Sequence, residues 1–155
     1  MADPLQVEVV AADGKVWEGQ ALNVIARTSE GDIGILANHE ALMAVLVPCA
    51  VEVTTLDGTD EIIAVSDGFI SVFRNRVSLL SSYGELAAEI SVDKARSTIA
   101  HLHERIDSGD ASHDEERQYN HAVGQLRAAE KYAARAKGQE AGGLTPQPAR
   151  LRAGN

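Results

Sequence analysis

Up to residue 89 the apolar positions come in short alternating runs; beyond it they recur every three or four residues. Gln6-Val7-Glu8-Val9 alternates with period 2, the pattern of a strand with one face buried. Further strands are expected at residues 22–27, 33–36, 51–56, 61–66, 69–73 and 76–80, all rich in Val and Ile. Asp13-Gly14 and Asp57-Gly58 lie between such runs and predict tight hairpin turns. Regularly spaced short strands with such turns imply an antiparallel β-sandwich or flattened barrel.

At Ser91 the period changes. Ala95, Ile99, Leu102 and Ile106 are spaced 4, 3 and 4 apart, one face of a helix. Ser91 is its expected N-cap, Asp93 suits the positive first turn, and Gly109 is placed for a left-handed cap. Ser112-x-x-Glu115 reads as a capping box for a second helix. The apolar stripe of that helix is Tyr119, Ala122, Val123, Leu126, Ala129, Ala133 and Ala136. Small residues allow close packing but bury little area, so the hairpin is expected to be marginal without a partner surface. The expected fold is α+β: a β-sandwich over 1–89, an antiparallel two-helix hairpin over 90–137, and a disordered Gly/Pro-rich tail over 138–155.

Charge divides the chain along the same boundary. Residues 1–89 hold 4 basic and 14 acidic groups; residues 90–155 hold 10 and 9. A nucleic-acid module needs a basic footprint, and the strand region has the opposite. Its acidity favours a partner with exposed arginines or lysines. The longest apolar run, residues 41–51, is 11 residues long and contains Pro48, short of the ~20 needed to span a bilayer, so no membrane insertion is expected. The N-terminal Met-Ala-Asp-Pro lacks the basic-then-apolar pattern of a signal peptide. Cys49, alone in the chain, lies in that apolar run and is expected to be buried.

No catalytic constellation emerges. His101 and His103 are two apart on a helix, so they point about 200° from one another, unlike the i, i+4 spacing of a helical zinc site. His113-Asp114 overlaps the capping box, and no motif places a nucleophile beside it. Asp57, Asp60 and Glu61 lack calcium-loop spacing. No glycine-rich phosphate loop opens a helix. The reading is a non-catalytic protein without metal or cofactor.

The most informative stretch is residues 31–42, Gly-Asp-Ile-Gly-Ile-Leu-Ala-Asn-His-Glu-Ala-Leu. Ile33, Ile35 and Leu36 are expected to be buried. Asn38, His39 and Glu40 form a polar corner before a second apolar run, Ala41 to Val47, which ends at Pro48. A loop braced on both sides is either a docking surface or simply a structural corner, with His39 at an interface or bracing its own loop.

This stretch resembles the signature Gly-x-x-Gly-Ile-Leu-Pro-x-His-x-x-Leu of the epsilon subunit of bacterial F-type ATP synthases. Gly31, Gly34, Ile35, Leu36, His39 and Leu42 match; Ala37 replaces the usual proline and Asn38 stands where glycine is common. A second block resembles the same family: Ser66-x-Gly68-Phe69, Val72, Asn75-x-Val77, Leu80, then Glu89-Ile90 before a helix. The resemblance covers roughly residues 5–137.

It implies a rotor subunit at the foot of the central stalk, peripheral to the cytoplasmic face of the cell membrane. One side of the strand domain would meet the gamma subunit and its base the polar loops of the c-ring. Asp32, Ala37, Asn38, His39 and Glu40 are the positions implied at the c-ring. The hairpin would fold against the strand domain or extend to the alpha and beta subunits and inhibit ATP hydrolysis. Arg117, Arg127, Lys131, Arg135 and Lys137 are the cations available for that contact, and by residue type they equally suit a solvated face. Some relatives bind ATP through Ile/Leu-Asp-x-x-Arg-Ala and two arginines on the second helix. Here the motif reads Ile90-Ser91-x-x-Lys94-Ala95, with His121 and Gln125 at the helix positions. Lysine poorly replaces a bidentate arginine contact, so ATP binding is expected to be weak or absent. The alternative is a free-standing nucleotide or small-ligand sensor, closing a ligand between sandwich and hairpin.

Overall fold

Nine strands and two helices are laid out in a computed structural model that describes residues 3–143, with side chains to residue 137. The strands are β1 (Leu5–Ala11), β2 (Gly14–Thr28), β3 (Gly31–Leu36), β4 (Leu42–Leu46), β5 (Cys49–Thr55), β6 (Asp60–Val65), β7 (Gly68–Phe73), β8 (Arg76–Ser81) and β9 (Gly84–Leu86). A 3-10 turn, Ala87–Glu89, leads to α1 (Val92–Ser108) and α2 (His113–Gly143).

One continuous sheet folds over itself, in the order β1-β8-β7-β4-β2-β5-β6-β9, with β3 beside β2 and β1 also pairing β2. All pairs are antiparallel except β1 with β8. The long β2 belongs to both layers. Its first half pairs with β1, and its second half lies between β3 and β5. Inward residues of both layers form one core, including Leu5, Val7, Val9, Val24, Ile35, Leu46, Val51, Val53, Ile63, Ile70 and Leu79. Cys49 is in it, as expected.

Three strand features differ from the sequence expectation. β2 starts at Gly14 rather than residue 22, because residues 14–20 lie on a half-exposed stretch without clean alternation. β4 and the short β9 are additional strands; both are too short, and β4 too uniformly apolar, for a period to show. Leu36 is 62% exposed rather than buried. Ile33 and Ile35 share the inward parity of β3, and Leu36 has the other.

The hairpin forms with its expected caps. Ser91 Oγ accepts from the Lys94 N–H at 3.3 Å, and Gly109 takes φ 78° in the left-handed cap. Ser112 and Glu115 exchange the two bonds of a capping box, 3.0 and 3.1 Å. Arg105 adds a two-pronged contact to Glu115, both at 2.9 Å, which closes the hairpin end. α2 continues to Gly143, so the expected boundary at residue 137 falls inside the helix. Gln139, Glu140 and Ala141 are good helix formers, and Gly138 costs only about 1 kcal/mol. The rest of the expected tail, 144–155, lies outside the described residues.

The hairpin lies on the sandwich, with α2 against β5 and β6. A second small cluster joins them: Ile62 and Ala64 from the sheet, Ala87, Ala128 from α2, and beside them Ala50, Tyr83 and Ile90. Gly124 makes the closest approach; a Cβ there would sit 2.5 Å from the Val65 carbonyl oxygen. Ala133 and Ala136, expected in the apolar stripe, are exposed. α2 is ~46 Å long against ~26 Å for α1, so its far end runs past the shorter helix.

Candidate interaction surfaces

The corner between β3 and β4 is held by the turn between β7 and β8. Arg74 and Asn75 both have positive φ, 51° and 63°, the geometry of a two-residue hairpin whose twist matches its strands. From that turn Asn75 Oδ1 accepts the Asn38 N–H at 2.6 Å. This bond fixes Asn38 in its own left-handed conformation, φ 67°, which asparagine tolerates better than most residues. The His39 N–H donates to the Leu36 carbonyl at 3.1 Å, and its Nδ1 meets the Glu40 carbonyl at 2.7 Å. A carbonyl can only accept, so Nδ1 is the donor in this contact, which braces the loop. A groove of about 470 Å³ runs here, lined by Asp3, Asn38, His39, Ala41, Phe73, Arg74 and Asn75.

Asp32 is not part of this corner. It lies at the other end of β3, ~13 Å along the strand from Leu36, where the corner begins. There the Arg27 guanidinium donates to its carboxylate at 2.8 Å and holds it below the usual carboxylate range. Asp32 and Arg27 line a cleft of about 350 Å³ beneath α2, with Arg127 and Lys131 on the far wall. The structure thus brings Ala37, Asn38, His39 and Glu40 together and leaves Asp32 with the hairpin.

Beside the corner lies a face that sequence reasoning missed. Met43 and Val45 on β4, Phe69 and Phe73 on β7, and Leu80 on β8 all point outward and are about half exposed or more. Val45 is opposite Phe69, and Phe69 opposite Leu80, so the three form one row across the layer. Isolated exposed apolar residues are ordinary, whereas a contiguous row of this kind marks an interaction surface. The signal was available: β4, β7 and β8 carry large apolar residues at both parities, as strands covered on both faces do.

Of the five hairpin cations named for inhibition, Lys137 is exposed and the other four divide into two kinds. Arg117 pairs with Asp114 on its own helix. The other three face the sandwich. Arg127 donates to the Pro48 carbonyl, Lys131 to Glu52 at 2.8 Å, and Arg135 to Glu52 while lying 3.4 Å from Asp60. Burial pushes the Glu52 carboxyl up, but the hydrogen bonds from Arg135 and Lys131 outweigh it and hold the group below its usual range.

At the nucleotide-like motif, Ile90 and Ala95 are packing residues, Ala95 being buried. Lys94 is exposed, and its N–H caps the helix on Ser91. The two helix positions meet the strand domain directly. His121 stacks on Tyr83 with ring centroids 4.6 Å apart, and Gln125 donates to Tyr83 Oη at 2.9 Å and Glu85 at 3.0 Å. Tyr83 and Glu85 were not singled out by sequence. His101 and His103 are exposed on α1, where His103 lies 3.2 Å from Asp107. Among the described residues, no helix is long and apolar enough to cross a membrane.

Comparison with known proteins agrees with the architecture. Residues 4–87 match the model of the ATP synthase delta/epsilon chain β-sandwich domain. The ATP synthase epsilon chain of Cutibacterium acnes is 44% identical over 110 residues, 70% of this chain and 75% of that one. The epsilon chain of Streptomyces avermitilis is 47% identical over 95 residues, 61% and 77% of the two chains. Among solved structures, a chain of the Euglena gracilis mitochondrial ATP synthase superposes with TM-score 0.66 at 21% identity, covering 84% of this chain and 81% of that one. A chain of the Tetrahymena thermophila mitochondrial central stalk and c-ring gives 0.52 at 12% identity, covering 84% and 97%. These two likenesses concern the fold.

Proposed function

The chain belongs to the ATP synthase delta/epsilon family, and on that premise we propose how it works as a non-catalytic subunit of the central stalk. The observation that carries the reading is the outward apolar face of β4, β7 and β8, with the row Val45–Phe69–Leu80, which reaches the braced polar corner at Phe73. The apolar layer docks on the gamma subunit. Ala37, Asn38, His39 and Glu40 meet the polar loops of the c-ring; Asp32, paired with Arg27 at the other end of β3, is a separate contact. A rigid body clamped at two surfaces transmits rotation without any covalent chemistry. The whole sits peripherally at the cytoplasmic face of the membrane.

The hairpin is the regulatory part. Docked, it keeps Arg127, Lys131 and Arg135 on the sandwich; extended, it presents them with Arg117 to the catalytic alpha and beta subunits and restrains ATP hydrolysis. The two arrangements differ in which acids these cations meet, so a partner shifts the balance by its differential affinity. ATP is no strong effector here, because His121 and Gln125, packed on Tyr83 and Glu85, stand where a nucleotide would need arginines.

The test is recovery of partners from detergent-solubilised membranes on tagged chain, with ATPase assays of the complex carrying the full chain or residues 1–89 alone. Recovery of gamma and c-ring, with faster hydrolysis on truncation, is expected. Failure to recover them would return the chain to the ligand-sensor reading.

A further inference from the structure

Docking of the hairpin leaves a polar atom stranded. His121 Nε2 is buried between α2 and the sandwich with no hydrogen-bond partner. Its ring is clamped against Tyr83, the planes only 19° apart. The polar groups around it have partners: Tyr83 donates to Glu85, and Gln125 donates to both. A neutral imidazole tolerates this position, because an unmet acceptor nitrogen is a modest loss. An imidazolium does not, since it brings a second N–H donor and a full charge into the same dry contact.

The surrounding charges do not rescue the charged form. Asp67, on the turn between β6 and β7, attracts a proton to the ring, but its carboxylate already accepts from Ser66 and Ser82. Arg117, about one turn earlier on α2, opposes it. From the segment before β9 the ring meets Tyr83, a phenol pushed upward by burial and by Glu85 and therefore neutral. Burial prevails, and the docked imidazole is held below the usual histidine range.

We propose that His121 is a proton-sensitive latch: α2 lies on the sandwich only while His121 is neutral, and protonation releases the hairpin. This rests on the reading of the hairpin as a mobile regulatory unit and adds the signal that moves it. The sign follows from linkage. The released, hydrated histidine takes a proton near pH ~6.5, whereas the docked one resists it. Docking is therefore constant well above that pH and weakens as the pH falls through it, the released-to-docked ratio rising by up to about tenfold per unit. Glu52 stays ionised across this window, so the Lys131 and Arg135 contacts do not titrate with it.

The experiment uses the isolated full-length chain with Cys49→Ala, spin-labelled at Thr59→Cys and Ala136→Cys, both exposed positions. Electron–electron resonance distances are recorded from about pH 8 to about pH 5.5. A single short distance at the upper end, giving way to long distances in acid, is expected. His121→Phe keeps a ring on Tyr83 and cannot take a proton, so it should stay docked throughout. Should that variant not dock at the upper pH, His121→Gln takes its place in the same comparison. A docked population unaffected by acid, or the same acid response in the substituted chain, would overturn the proposal. No other subunit is present, so either result leaves the partner-recovery and ATPase test of the rotor reading unaffected.

Discussion

Lys131 reaches Glu52 across 79 residues of sequence, Nζ to Oε2 at 2.8 Å, and joins α2 to the middle of β5. The Glu52 side chain is 4% exposed, while Lys131 and Arg135 are about half exposed. The asymmetry decides what its removal does. The two cations can rehydrate where they stand, so the loss falls on docking rather than on the sandwich.

Glu52→Gln is therefore expected to weaken docking by about 1–3 kcal/mol while leaving the melting of the strand domain little changed. Limited proteolysis after Lys131 and Arg135 should quicken several-fold. Unchanged cleavage would mean that the pair contributes nothing to holding α2 down.

The same carboxylate gives a second pH dependence, separate from that of His121. Its docked-state value is below the free one, so its contribution is complete above ~4.5 and is lost as the pH falls through the docked value. A titration of hairpin docking in His121→Phe should stay flat through neutrality and break only in this acid range. A break near neutrality would point to another titrating group.

Gly124→Ala separates packing from charge. Alanine is better in a helix by about 1 kcal/mol, so local propensity alone predicts a firmer hairpin. Yet the added carbon would stand 2.5 Å from the Val65 carbonyl oxygen, on backbone of the sheet that cannot easily give way. Loss of docking with helix content kept, read by circular dichroism and label distances together, is the expected result. Retained docking would show that α2 can shift along the sheet.

Phe69→Glu places a charge in the middle of the outward apolar row. Phe69 is about half exposed, so the chain should fold with a stability change of less than about 1 kcal/mol. Recovery of gamma should fall at least tenfold. Equal recovery would move the gamma contact to another face.

Calorimetric titration of ATP into the isolated chain should show no micromolar binding. Saturable micromolar heat would mean that Lys94 and the His121–Gln125 pair serve where arginines are usual.

Local rules carried much of the fold. Ser91, Gly109 and the Ser112–Glu115 box act through bonds within three or four residues, and all three formed as their residue types dictate. The features that escaped depend on distant parts of the chain. Leu36 was assigned by hydropathy when strand parity governed it. Gly124 resembled an ordinary weak helix residue, and its role exists only because β6 passes beneath. Asp32 was placed with His39 by the family resemblance, and the structure sets the two beyond opposite ends of β3, because an extended strand carries neighbours in sequence away from one another. Tyr83 and Glu85 became relevant only when α2 delivered His121 and Gln125 to them.

The strand β2, shared by both layers, has a mechanical consequence. A load entering at β7 passes to β4 by a full ladder of antiparallel bonds, and from there through the corner into β3 and β2. A load applied along these strands would be borne in shear, by many backbone bonds at once, rather than by peeling them one at a time. A fold with a single chain segment woven through both faces has no seam between its two sheets along which torque could part them.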